Sequence, residues 1–132
     1  MALSSIQEAL RDTWMDAADT EIDSGAGAGL LEIWSGVAPA TFTTKLATLT
    51  FTTPNPFGAS SGGVITAAAI SDDASADATG TAALGKVTTS DPTLVFNFTV
   101  GTSGEDLNLN SVSITAADVV SISSMTLTAP AA

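Results

Sequence analysis

The chain has no cysteine, no histidine and no tyrosine, and only three basic side chains in 132 residues. Each shortage removes a class of chemistry. Without cysteine there is no disulfide, thiolate metal site or thiol nucleophile. Without histidine the commonest general base, the Ser–His–Asp triad and the usual zinc ligands are gone. A catalytic centre would have to be assembled from carboxylates, hydroxyls and three cations. The expectation is therefore a protein that is not an enzyme, with no catalytic residues and no cofactor.

Positive charge is scarce and scattered. Arg11, Lys45 and Lys86 face 14 acidic residues, for a net charge of −11. Nucleic-acid binding needs clustered cations to displace counterions from phosphates, so a nucleic-acid partner is excluded. Anionic membranes are disfavoured on the same ground. A basic protein surface suits this field better. Long apolar runs are missing too: "GGVITAAAI" falls well short of the ~20 residues a spanning helix needs. The start, "MALSSIQEALRDTWMD", has no basic n-region and carries charges early, so a secretory signal is not expected and synthesis in the cytoplasm is.

What remains is a hydrophobic, weakly charged chain: 45% apolar residues against 13% charged. That profile folds rather than staying disordered. The length suits one core that buries roughly two-thirds of the unfolded surface.

Two periodicities divide it. Over the first 22 residues Leu3, Ile6, Leu10 and Trp14 recur at helical spacing, while Asp12, Asp16 and Asp19 occupy the other face. Ser5 and Glu8 match a capping box, and Glu8 with Arg11 an i,i+3 pair. The helix packs on its own domain or docks on a neighbour through its apolar stripe. A glycine-rich break, "DSGAGAG", follows from Asp23 to Gly29 and suggests a flexible joint. Residues 1–29 thus read as a helical arm with a joint, and residues 30–132 as a β domain.

From Leu30 the period is two. Strands are expected at Leu30–Ser35, Lys45–Thr53, Val64–Ile70, Ala78–Val87 and Thr93–Val100, with loops at Pro54–Gly63, Ser71–Asp77 and around Asp91-Pro92. In "TLVFNFTV", Leu94, Phe96, Phe98 and Val100 point one way. Leu107 and Leu109 are out of phase with Val112 and Ile114 by one residue. The chain must correct this near Asn110-Ser111, by a bulge or by crossing between sheets. The same slip separates Val120 and Ile122 from Met125 and Leu127, which places a second bulge at Ser123-Ser124. Seven or eight short strands, with threonine replacing charge on exposed faces, indicate a mainly β fold: an antiparallel β-sandwich, jelly-roll or Ig-like, with an N-terminal α-helix.

The acidic constellations are weak. Asp72, Asp73 and Asp77 in "SDDASADATG" could supply calcium oxygens, but their spacing is not that of an EF-hand and a solvated turn is favoured, so no metal is assigned. Asp91, Glu105 and Asp118 could in principle run glycoside hydrolysis, yet each sits beside a turn. Trp34 is the one tryptophan outside the helix, a thin basis for a carbohydrate platform. Lys45 and Lys86 are expected in solvent or paired with acids of another copy.

Four segments in order, "LEIWSGVAPAT", "LATLTF", "PFGASSGGVITAAAISDDASADATGTA" and "VGTSGEDLNLNSVSI", resemble a family of small proteins encoded in tailed bacteriophages and prophages. The shared features are an aromatic-Ser-Gly-x-x-Pro turn at Trp34–Pro39, then a Leu-Ala-Thr-Leu strand, a Gly-Gly-Val-Ile segment and a Ser-Ala-Asp-Ala-Thr-Gly-Thr-Ala segment. The resemblance runs from Leu30 to Leu127; the longer acidic N-terminus departs from it. It implies a virion structural protein and brings no catalytic residues. The expected role is a head decoration (cement) protein, made in the host cytoplasm and held on the capsid surface. Its partners would be the major capsid protein or other virion subunits, with self-association, for example as a trimer. Alternatives are a tail-tube, connector or fibre-base subunit, and a carbohydrate-binding β-sandwich module. Interface candidates are Leu3, Ile6, Leu10, Trp14 and Trp34.

Overall fold

The computed structural model of the chain describes residues 6–122 and 124–129. One helix, α1 (Glu8–Ile22), precedes nine strands. These are β1 (Leu30–Val37), β2 (Thr41–Thr50), β3 (Val64–Thr66), β4 (Gly80–Thr81), β5 (Leu84–Thr88), β6 (Leu94–Gly101), β7 (Leu107–Asn108), β8 (Ser113–Ile114) and β9 (Thr126–Thr128). The fold is mainly β, as its two-residue periodicity requires. No helix of the described residues is long and apolar enough to cross a membrane.

A five-stranded sheet in the order β2-β1-β5-β6-β7 forms the centre. Every neighbouring pair in it is antiparallel except β6 and β7. Cross-strand partners share a face, so register assigns the core. Leu31 lies between Leu49 and Val87, and Ile33 between Ala47 and Gly85, with Phe98 beyond. This row is buried throughout, and the missing side chain of Gly85 makes room for the Phe98 ring: a Cβ there would run into it. Two smaller pairs, β3 with β9 and β4 with β8, contribute Ile65 and Ile114 to the same core.

Several expectations shift at the boundaries. β2 begins at Thr41 rather than Lys45 because it forms a hairpin with β1 across Ala38–Ala40, which extends β1 to Val37. A bulge between Ile33 and Trp34 gives β2 an extra residue, so consecutive Leu46 and Ala47 are both buried where strict alternation would split them. The strand expected at Val64–Ile70 stops at Thr66, since Ala68 N–H turns to the Pro56 carbonyl. The segment expected as one strand at Ala78–Val87 divides in two: β4 pairs with β8, and β5 joins the main sheet. The phase slip near Asn110-Ser111 is resolved by a crossing, because β7 pairs with β6 and β8 with β4. The second slip, at Ser123-Ser124, includes a residue outside the described set.

Candidate interaction surface

Two stripes run along α1, and the acidic one faces the protein. Gly63 N–H donates to Asp12 Oδ1 at 2.7 Å, Ser60 N–H to Asp16 Oδ1 at 3.2 Å and Phe57 N–H to Asp19 Oδ1 at 2.8 Å. The Thr53 hydroxyl donates to Asp23 Oδ1 at 2.7 Å. Positions 12, 16, 19 and 23 repeat at helical spacing, so four carboxylates form one ladder. The cause lies in the loop. "TPNPFGASSGG" has two prolines and several glycines and meets β3 only through isolated bridges, with Gly58 and Ser61 N–H on the Thr66 and Val64 carbonyls, so its other amides need other acceptors. The acidic face of the helix is thus the one that docks on the loop.

Apolar anchors complete the seat. Ile22 is wholly buried in the sheet's core, and Met15 packs against that core. The glycines after the helix serve close approach rather than a loose joint. A Cβ on Gly29 would lie 2.5 Å from Ile22 Cγ2 and 2.7 Å from its carbonyl oxygen, and one on Gly25 would strike Ser90. Gly27 N–H donates to Ser90 Oγ at 3.0 Å. At the other end Gln7 stands at the N-cap without a side-chain bond. Ser5 of the expected capping box lies outside the described residues. Arg11 turns toward Gly63 rather than pairing with Glu8.

With its polar face occupied, the helix presents the opposite stripe to solvent. Leu10 is 44% exposed and Trp14 39%. Of the other expected interface residues, Ile6 is half-buried, and Leu3 lies outside the described residues. Trp34 does not join them, because it sits on the outer face of the main sheet. There its ring meets Phe42 edge-on at 5.7 Å, and Lys86 Nζ rests over both rings at 4.4 and 4.3 Å. Trp34 Nε1–H donates to the buried Glu32 carboxylate at 3.1 Å, and Lys45 Nζ approaches Glu32 at 3.9 Å. Register explains the gathering: Glu32 is opposite Lys86, and the bulge brings Lys45 opposite Trp34. Both lysines, expected in solvent or on a second copy, are held within the chain.

A second projection was not singled out in the sequence. β1 pairs with β5 only through Trp34, whereas its pairing with β2 continues to Val37. The hairpin tip therefore stands beyond the sheet, with Val37 66% exposed and Ala38, Pro39 and Ala40 all exposed. A Val-Ala-Pro-Ala turn with no charge was the available signal.

The acidic turn does not converge on a cation. Asp73 accepts Thr48 N–H at 2.8 Å and Ser75 N–H at 3.0 Å, which ties the turn to the edge of β2. Among the described residues no three carboxylates are grouped to hold a metal. A surface trough of about 420 Å³ is lined by Asn108, Asn110, Ser113, Asp118 and Val119 among others, and has no aromatic platform. Comparison with known family models, curated proteins and solved structures returned no match.

Proposed function

We propose that this chain is a virion structural subunit, acting as a head decoration (cement) protein that reinforces the capsid lattice. The scaffold would be a β-sandwich of jelly-roll or Ig-like type, with the main sheet as one layer and the β3–β9 and β4–β8 pairs as the other. The observation that carries the reading is the orientation of α1. A helix that spends its carboxylates on its own loop and leaves Leu10 and Trp14 in water is built to meet another surface. Capsid cement needs rigid contact surfaces and no reactive groups. Stable interfaces of that kind bury about 1,200–2,000 Å² or more, so the helix would share the contact with the hairpin tip. The test is add-back. Heads stripped of the protein should rebind it and melt at higher temperature; heads that neither rebind it nor gain stability would refute the role.

One observation favours a second structural reading, a tail-tube or connector subunit. The free edges of the projecting hairpin can extend a neighbour's sheet, as ring and tube assemblies require. Copy number separates a connector, present as a ring-sized set, from cement or tube, present in hundreds; finding the chain on isolated heads or on isolated tails then separates cement from tube. The carbohydrate-module reading is weakened at Trp34, because Lys86 already covers the ring face that a sugar would stack on.

A further inference from the structure

We infer that the outward stripe of α1 is a helix-in-groove anchor, and that its partner groove is apolar at the centre and rimmed by lysine or arginine. The inference rests on the structural-subunit reading for the particle used as probe. Its own support is geometric. Leu10, Trp14 and Ala17 fall at i, i+4 and i+7, and Glu21 continues the same line at i+11; all four are exposed. That is the spacing by which a helix seats in a groove, with the large side chains as anchors and the carboxylate at the rim. The helix is also preorganised. Ile22, Met15 and the four-carboxylate ladder fix its rotation, so docking orders little that was free.

Charge selects the occupant. The chain carries −11, and both of its lysines are engaged within it. Lys45 approaches Glu32, Lys86 lies on Trp34 and Phe42, and Arg11 lies beside Gly63 with its Nε buried and without a hydrogen-bond partner. Beyond its two engaged lysines a second copy offers only Arg11 to meet Glu21, and it brings an equal negative field. Two such stripes face to face would repel, so the occupant is a basic partner and self-assembly must use other surfaces, such as the hairpin edges.

The experiment uses the full chain as wild type, Leu10→Ser/Trp14→Ser, Glu21→Lys and, as a control away from both the helix and the hairpin tip, the exposed Val119→Ser. Each is titrated onto stripped heads and onto detached tails of the same virion, at about 50 and 300 mM salt. Because the altered residues are exposed, the free variants should melt with the wild type. The expected result is loss of affinity by about tenfold or more for the double variant. Glu21→Lys should lose severalfold, and high salt should weaken the wild type. If the wild type binds and the double variant binds within about twofold of it, the helix is not the anchor, although the structural role stands. If the wild type binds neither particle, both readings fall. Should sedimentation show self-association that the double variant abolishes, the occupant is a second copy and the basic groove is refuted.

Discussion

Asp19 accepts the Phe57 N–H while lying under the loop it holds. Burial pushes its carboxyl above the usual range, the Phe57 amide pulls it back, and Asp23 and Asp16 push it up again. A raised folded pKa means that Asp19 favours the fold most when protonated, and that this contribution fades as pH rises through the raised value. Asp19→Asn keeps the acceptor and removes the charge. Chemical denaturation should therefore find it close to wild type near pH 4 and progressively more stable toward pH 7, a window set by the ordinary carboxylate range. A gain that shrinks with rising pH would refute this. Asp19→Ala should instead lose about 1 kcal/mol, the worth of one hydrogen bond. Asp91 has the opposite sign: the Thr89 hydroxyl holds its carboxyl below the usual range, so its contribution is present at neutral pH and lost on acidification. On the outer sheet face, Lys86→Met keeps the stem and removes the cation from two rings. A loss of about 0.5–1 kcal/mol is expected, and no change would mean the contact is incidental. At this scale the sequence was partly legible. Trp34 was visible as the one tryptophan outside the helix, but its partners Phe42 and Lys86 come from other strands, and only register brings them together.

The helix was legible as an element, and its orientation was not. The apolar stripe through Leu10 and Trp14 and the acidic stripe through Asp12, Asp16, Asp19 and Asp23 are both regular. Their regularity alone does not say which of the two packs on the domain, and the structure turns the apolar one outward. What decides is a neighbour: the proline- and glycine-rich loop at 53–63 has amides that no strand can pair, and aspartates at one-turn spacing supply acceptors. Replacing Asp12, Asp16 and Asp19 together by alanine should raise amide exchange at Phe57, Ser60 and Gly63 while the main sheet stays protected. Unchanged exchange at those three amides would show that the ladder is not what seats the helix. The glycine segment misled for a related reason. Glycine marks both loose chain and close approach, and here Ile22 and Ser90 crowd it. Gly29→Ala should destabilise by about 1–3 kcal/mol through overpacking; a neutral result would mean that the segment yields easily. Strand positions were read well where alternation was long, as in β6. They were read poorly where the chain changes partner every few residues, as between β4 and β5, because pairing there is set by distant segments.

For the whole molecule, sign and scarcity of charge were available from a count of residues, and they bound the partner before any fold is known. The division of labour was not available. The main sheet holds Lys86 on its own aromatics and Lys45 beside Glu32, the helix turns Asp12, Asp16 and Asp19 to the loop, and large apolar side chains are left exposed at the helix stripe, at the hairpin tip and at Leu94 and Val119. The net charge of −11 then implies that docking weakens with salt if the partner is basic. The central claim is that these outward apolar surfaces join the chain to a larger particle. The most direct measurement is imaging of the virion at a resolution that traces chains. The expected result is this chain repeated over the head lattice, with Leu10 and Trp14 buried in a groove of the neighbouring subunit. A virion that lacks the chain, or one that holds it with both side chains still in solvent, would contradict the claim.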